Sequence, residues 1–354
     1  MTGDTVAAGD AAGAGPGGPS AHDTAAQFLD RRTPLQRARG LLHKYPALSP
    51  ALVLLISVIV FGSLNDRFLN PTNLSLITQQ VAVVGTLALA QTLIILTAGI
   101  DLSVGAAMVL SSMVMAQVAA NQGAPAVLAL GIGLLVGVGT GALNGVLVTR
   151  LKLPPFITTL GTLNVFTALA LLYSGGSTVR GGEMPSLLPW TGLSFELAGI
   201  RVSTGVLVMM LLYTLIAVAL TRTAWGRHVY AVGDDKEAAR LVGISPRRVL
   251  LSVYVVAGAI IAAAAWIQIG RANAASPNIV GDLNLDSITA VVIGGTSLFG
   301  GRGTVWGSLL GALIVGVFRN GLSLAGLDVL YQTLAVGLLV LVAVALDQWI
   351  RKAP

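Results

Sequence analysis

The stretch that decides the fold is Leu102–Thr149, LSVGAAMVLSSMVMAQVAANQGAPAVLALGIGLLVGVGTGALNGVLVT, which contains no Asp, Glu, Lys or Arg. A membrane-crossing helix needs about 20 apolar residues, so this run is long enough for two. Turn-forming residues gather at Asn121-Gln122-Gly123-Ala124-Pro125, and the chain is expected to reverse there.

Similar uncharged runs lie on both sides: Tyr45–Asn65, Phe68–Ile100, Leu153–Val179, Val202–Thr221, Val249–Gly270, Ser287–Gly301, Gly303–Phe318 and Val329–Leu346. Only 10% of the 354 residues are charged and 55% are hydrophobic, against about 25% charged in a soluble domain. A chain this poor in charge cannot cover a water-facing surface, so lipid must be its solvent. The expected fold is all-α, a polytopic transmembrane bundle of about ten spans. They fall near residues 47–64, 75–98, 103–120, 125–149, 155–174, 203–221, 249–269, 286–300, 304–320 and 329–347. The eighth is short and reads as a broken or half helix. Residues 1–44 form a polar tail, 45–350 the membrane domain with a loop at 222–248, and 351–354 a short tail. The first twenty residues are rich in Gly and Ala and carry no apolar core of a signal peptide.

Basic residues concentrate on the inner side of membrane proteins. With the N-terminus inside, 16 of the 21 Lys and Arg fall inside and 5 outside (Arg67, Arg180, Arg201, Arg271 and Arg319). Both termini are therefore expected in the cytoplasm. The net charge of +6 fits basic inner loops, and nucleic acid is not an expected partner.

There is no cysteine, which excludes disulfides and thiol chemistry. The three histidines, His22, His43 and His228, have no metal-ligand spacing, and no nucleophile elbow or phosphate-binding loop is present. No catalysis, metal or cofactor is expected, and any energy for transport must come from a partner or an ion gradient. A stand-alone secondary transporter or channel is the alternative reading, but it needs ionisable residues within the spans. The only acid found between long apolar runs is Asp101, which reads either as a gate or as an N-cap of the third span.

Small residues recur every four positions at Gly133, Gly137, Gly141 and Gly145, and again at Gly303, Gly307 and Gly311. Such stripes let helix backbones approach closely. Gly141-Ala142-Leu143 ahead of Arg150 and Gly311-Ala312-Leu313 ahead of Arg319 hint at an inverted repeat. In the 222–248 loop, Asp234 can cap a helix of about eight residues with Glu237 at its third position, and Gly243 can stop it. Ser245-Pro246 then restarts helical structure. A helix this short is not stable alone in water and needs support from this chain or a partner.

These residues carry a family resemblance. Glu237-Ala238-Ala239, followed after Arg240-Leu241-Val242 by Gly243, resembles the E-A-A-x-x-x-G element by which permeases of binding-protein-dependent ABC importers dock on their ATPase. Gly99-Ile100-Asp101-Leu102-Ser103-Val104-Gly105 is similar to a signature of the ribose/xylose/galactose-type branch. Asp286-Ser287-Ile288, then Ala290 to Leu298 and Gly300-Gly301-Arg302-Gly303, resemble a second. The resemblance covers about residues 50–348 and implies a multi-pass permease of the bacterial inner membrane that carries a pentose or hexose. It implies a second permease copy, cytoplasmic ABC ATPases and an extracytoplasmic sugar-binding protein as partners. Asp234, Asp235, Glu237, Ala238, Ala239, Arg240 and Gly243 would form the ATPase-coupling element. A neutral sugar needs only weak polar contacts, and Gln79, Gln80, Gln91, Asp101, Asn144, Thr159, Asn164 and Gln268 are candidates for the path or its gate. Each can equally satisfy a neighbouring backbone.

Overall fold

A computed structural model describes residues 48–197, 199–278 and 282–351. The expected 1–44 tail and residues 352–354 lie outside these. The described residues form α1 Leu48–Leu64, α2 Pro71–Leu96, α3 Val104–Ala120, α4 Ala126–Thr149, α5 Pro155–Ser174 and α6 Thr204–Arg222. Two short helices follow, α7 Ala224–Asp234 and α8 Lys236–Leu241, then α9 Pro246–Ala272, α10 Leu283–Ile293, α11 Val305–Leu324 and α12 Val329–Arg351. Ten of these helices overlap the ten expected spans, although α10 reaches only residue 293 of the span expected at 286–300. Among the described residues, six helices are long and apolar enough to cross a bilayer: α2, α4, α5, α6, α9 and α11.

The helix ends follow local chemistry. Asn70 caps α2 by accepting from the Thr72 amide at 3.0 Å, with Pro71 at the first helical position. Gly175, with φ +59°, ends α5 in the left-handed region. The Asn121–Pro125 break separates α3 from α4 as the composition required. The eighth apolar run is shorter than its sequence length suggests. α10 has 11 residues, about 16 Å of rise against a hydrocarbon core of about 30 Å. It stops because Gly294 and Gly295 follow it, and Gly295 takes φ +83°.

Two small sheets depart from the all-α expectation. Strand β1 (Val179–Arg180) pairs antiparallel with β4 (Ala274–Ala275), and β2 (Ser194–Leu197) pairs antiparallel with β3 (Ile200–Ser203). They occupy the segments joining α5 to α6 and α9 to α10, where no long apolar run enforces helix. The hairpin brings its backbone to the start of α2, where the Ser75 hydroxyl donates to the Arg201 carbonyl.

Helix α2 is the hub. In its most apolar window 89% of residues are buried, and it packs against α9, α11, α10 and α6. By contrast α1, α4, α5 and α6 expose leucines and isoleucines such as Leu55, Ile59, Leu135, Leu172 and Leu211. That is the face a bilayer would cover.

Lipid provides no hydrophobic drive between helices, so association depends on close van der Waals fit. The first glycine stripe supplies that fit. Gly133 meets Met115 of α3, Gly137 meets Gly258 and Ala262 of α9, Gly141 backs onto Tyr254, and Gly145 onto Leu251 and Tyr254. In the second stripe Gly307 meets Gly294 and Gly311 meets Ala290. Gly303 stands outside α11, because Thr304 is the cap residue, accepting from the Gly307 amide at 3.1 Å.

A packing pattern recurs along the chain. α4 lies antiparallel to α9, with residues 137, 141 and 145 opposite 258, 254 and 251. α11 lies antiparallel to α2, with Gly85 opposite Ala312 and the Thr92 hydroxyl donating to Ser308 at 2.7 Å. In both halves a long buried helix, a break, a shorter helix and a glycine-striped helix follow in that order.

Gly141→Leu should drive a side chain into the Tyr254 carbonyl and split α4 from α9, whereas Gly139, with open space beside it, should accept leucine. Size-exclusion chromatography in detergent checks this. G139L should elute like the parent chain and G141L should aggregate or fail to accumulate.

Candidate functional site

Two clusters bear on function, and the first is a buried polar knot at the break between α2 and α3. After Leu96 the chain turns at Ala98, in the left-handed region at φ +58°, and folds back beside α2. Asp101 lies in this turn and is almost fully buried. Its Oδ1 accepts from the Ser103 amide at 2.7 Å and the Ser103 hydroxyl at 2.6 Å. Asn144 of α4 donates to Asp101 Oδ2 at 3.3 Å and to the Ser103 hydroxyl at 2.9 Å. With its amide oriented to satisfy both partners, Gln91 of α2 donates to the Asp101 carbonyl at 3.1 Å and accepts from the Asp101 amide at 3.2 Å. Thr159 of α5 donates to the Ile100 carbonyl and accepts from the Leu102 amide, both at 3.1 Å.

This arrangement removes one of the two readings of Asp101. It is not the N-cap of α3. Ser103 holds that position, and its side chain makes no capping bond. The carboxylate instead closes the turn on itself while side chains of α2, α4 and α5 tie the turn down. A broken helix at membrane depth must find partners for its freed amides and carbonyls within the protein. The α3 amide at Gly105 finds one farther away, in the Asn284 side chain of α10 at 2.6 Å.

The other path candidates lie apart from the knot. Asn164 is exposed on α5 and donates to its own Leu160 carbonyl, while Gln80 is half-buried on α2. Gln79 donates to the Ser75 hydroxyl, and buried Gln268 accepts from Arg271.

Sequence reasoning missed a second buried acid. Asp286 of α10 binds Arg319 of α11, with Oδ1 2.6 Å from Nη2, and Asp282 approaches the same nitrogen at 3.2 Å. Arg319, counted above among outer-loop charges, therefore sits within α11 as the partner of this acid. Two charges in adjacent helices neutralise each other, which lets both enter an apolar bundle.

The second cluster is the short exposed helix α8. It differs from expectation in its cap and its length. Asp234 is the last residue of α7, and Asp235 caps α8, accepting from the Glu237 and Ala238 amides at 2.8 and 3.0 Å. The preceding turns had already been taken by α7, so the cap falls one residue later and the helix is six residues long. Gly243, at φ +84°, ends it, with the Ile244 amide reaching back to the Ala239 carbonyl at 3.0 Å. Pro246 starts α9.

Ala239 is the one buried residue of α8 and faces the protein. Leu241 is 88% exposed, Val242 75% and the Glu237 side chain 84%. α7 itself was not expected. Its signal was readable, since Trp225, Val229 and Val232 recur at helical spacing, and Val229 and Val232 are buried.

The comparisons with known proteins define the class. Residues 73–344 match the family model described as branched-chain amino acid transport system / permease component, and the chain belongs to that family. The match covers α3 through α11 whole, so the chain is a transport permease rather than a free-standing channel. It is 50% identical over 337 residues, 94% of each chain, to the fructose import permease protein FrcC of Rhizobium meliloti. It is 40% identical over 313 residues to the ribose import permease protein RbsC of Bacillus subtilis, covering 87% of this chain and 94% of that one. It is 35% identical over 307 residues to the D-allose transport system permease protein AlsC of Escherichia coli, covering 85% and 91%. No solved structure matches.

Replacing Asp101 by Ala should leave the Ser103 amide and the Ser103 hydroxyl proton without their acceptor in the interior, and an unpaired buried polar group costs about 1–3 kcal/mol. Thermal unfolding in detergent should show D101A well below the parent and D101N between the two. Equal midpoints for D101A and the parent would show that the knot carries no load.

Proposed function

We propose that this chain is the membrane-spanning subunit of an ATP-driven importer for a monosaccharide, with α8 as the contact for a separate cytoplasmic ATPase. The observation that carries the reading is α8 itself. A six-residue helix holds one alanine inward and turns Leu241, Val242 and Glu237 to the exterior. Adjacent apolar groups held this far out of the fold are a cost without a partner to cover them. The residues are those of the E-A-A-x-x-x-G docking element.

On this reading the ten apolar helices make a multi-pass bundle in the bacterial inner membrane, with α10 as a half helix and both termini in the cytoplasm. With Arg319 set aside as a residue of α11, 16 basic residues against 4 support that orientation. The recurring antiparallel pattern is an inverted repeat, α2 to α4 being matched by α9 to α11. Two copies would pair around a path, with a sugar-binding protein outside. The knot at Gln91, Asp101 and Asn144 acts as a gate or hinge, and Gln80 and Asn164 line the path or the contact between copies.

A neutral, hydroxyl-rich cargo fits a bundle whose buried acids are already occupied. Asp101 is satisfied within its own turn and Asp286 by Arg319. Fructose, ribose and allose, the sugars for which three relatives are named, are all monosaccharides. The family description names an amino-acid system, but relatives matching nearly the full chain weigh more for the cargo.

In a strain lacking this gene, the plasmid-borne chain should restore uptake of one of those three sugars. Glu237→Lys should reach the membrane, lose co-purification with the ATPase and restore nothing. Unchanged co-purification would contradict the α8 assignment, and restored uptake of a branched-chain amino acid would contradict the sugar.

A further inference from the structure

The loop 295–303, Gly295-Thr296-Ser297-Leu298-Phe299-Gly300-Gly301-Arg302-Gly303, takes no part in the docking helix or the buried knot, yet it touches the chain segments that lead into both, at Gly233-Asp234 before α8 and at Leu96–Ala98 before Asp101. It is closed on itself, with the Ser297 amide donating to the Arg302 carbonyl at 2.9 Å and the Gly300 amide to the Ser297 carbonyl at 3.0 Å. Gly295, Gly300, Gly301 and Gly303 all have positive φ, between +67° and +144°. Only glycine adopts such a run without strain.

Three backbone segments meet there. The Gly301 amide donates to the Leu96 carbonyl, at the end of α2, at 3.0 Å. A methyl group on Gly233, near the end of α7, would strike the same carbonyl and the Gly301 nitrogen. A methyl on Gly301 would strike Asp234, and one on Gly300 would strike Ala98. The Tyr230 hydroxyl of α7 donates to the Gly303 carbonyl at 2.9 Å.

We propose that this glycine joint transmits the movement of the docking helix to the transport path, with Tyr230, Gly233 and Gly301 as positioning residues. The proposal rests on the reading of α8 as the ATPase contact. Asp234 packs on Gly301, and the next residue, Asp235, caps α8. A displacement of α8 therefore reaches the joint through a single peptide link. Contact between backbones leaves no flexible side chain to absorb it. From the joint, one route enters α2 at Leu96, whose next turn carries Asp101. Another enters α11 through Thr304, which caps that helix. A third runs back into α10. The joint thus links the exposed helix to the breaks in both halves of the bundle. Packed interfaces of this kind switch between discrete arrangements rather than deforming smoothly.

The test is the number of sugar molecules carried per ATP hydrolysed by the complete reconstituted importer, with ATPase and binding protein present. Tyr230→Phe keeps the ring and removes one hydrogen bond. It should lower that ratio about fivefold while the complex stays intact and ATP is still hydrolysed. Gly233→Ala should lower it more. A parent-like ratio in Y230F overturns the proposal. So does a loss of uptake in Y230F that comes with dissociation of the ATPase, since the joint would then serve docking alone. Failure of the α8 reading shows separately, as a Glu237→Lys chain that keeps its ATPase.

Discussion

Every backbone amide and carbonyl freed by a helix break in this bundle must find a partner inside the protein, because hydrocarbon offers none. That constraint shapes the chain more than any single apolar contact. At the α2–α3 break it is met by Asp101, Gln91, Asn144 and Thr159, which draw α2, α4 and α5 onto one turn. At the start of α3 it is met across the bundle by Asn284. After α10 it is met by a glycine loop that folds on itself and borrows the Leu96 carbonyl. The breaks are thus where the two halves of the bundle are fastened. They are also the places where a small displacement exchanges one set of partners for another.

Between the breaks, the glycine stripes do the fastening. A side chain larger than hydrogen at 137 or 141 would enter the backbone of α9, and one at 307 or 311 that of α10. The stripes explain why helices with so little amphipathic character still pack in one register. The polar and small positions choose the neighbour, and the exposed leucines of α1, α4, α5 and α6 are left for lipid.

Much of this was legible in the sequence because lipid writes a simple rule. Runs without charge became helices, and Asn121–Pro125 became a turn. Gly243 and Pro246 ended and restarted helices where their backbone preferences require it. What was not legible depended on contacts between distant residues. For Asp101 a local rule allowed a cap as well as a gate, and the cap is removed only by contacts that include partners 10 and 43 positions away at Gln91 and Asn144. Asp286 escaped notice as a buried acid because its neutralising Arg319 comes 33 residues later. The Asp234 cap failed by one residue because α7 had not been recognised and had already used that position. Of the path candidates, Gln91, Asp101 and Asn144 converge, while Gln80 and Asn164 stand apart, a distinction that only the packing of α2, α4 and α5 makes.

The family to which the chain belongs and the small outward-turned helix lead to one division of labour, in which this subunit supplies the path and another supplies the energy. The chain contains no cysteine, so a single cysteine carrying a photoreactive group can be placed at Leu241 without background. Irradiation of membranes that contain the whole importer should join that position to the ATPase. The same label at Leu172, 79% exposed on an apolar helix, should mark lipid or a second permease copy. A label at 241 that reaches only solvent or lipid, in complexes that still transport, would contradict the account.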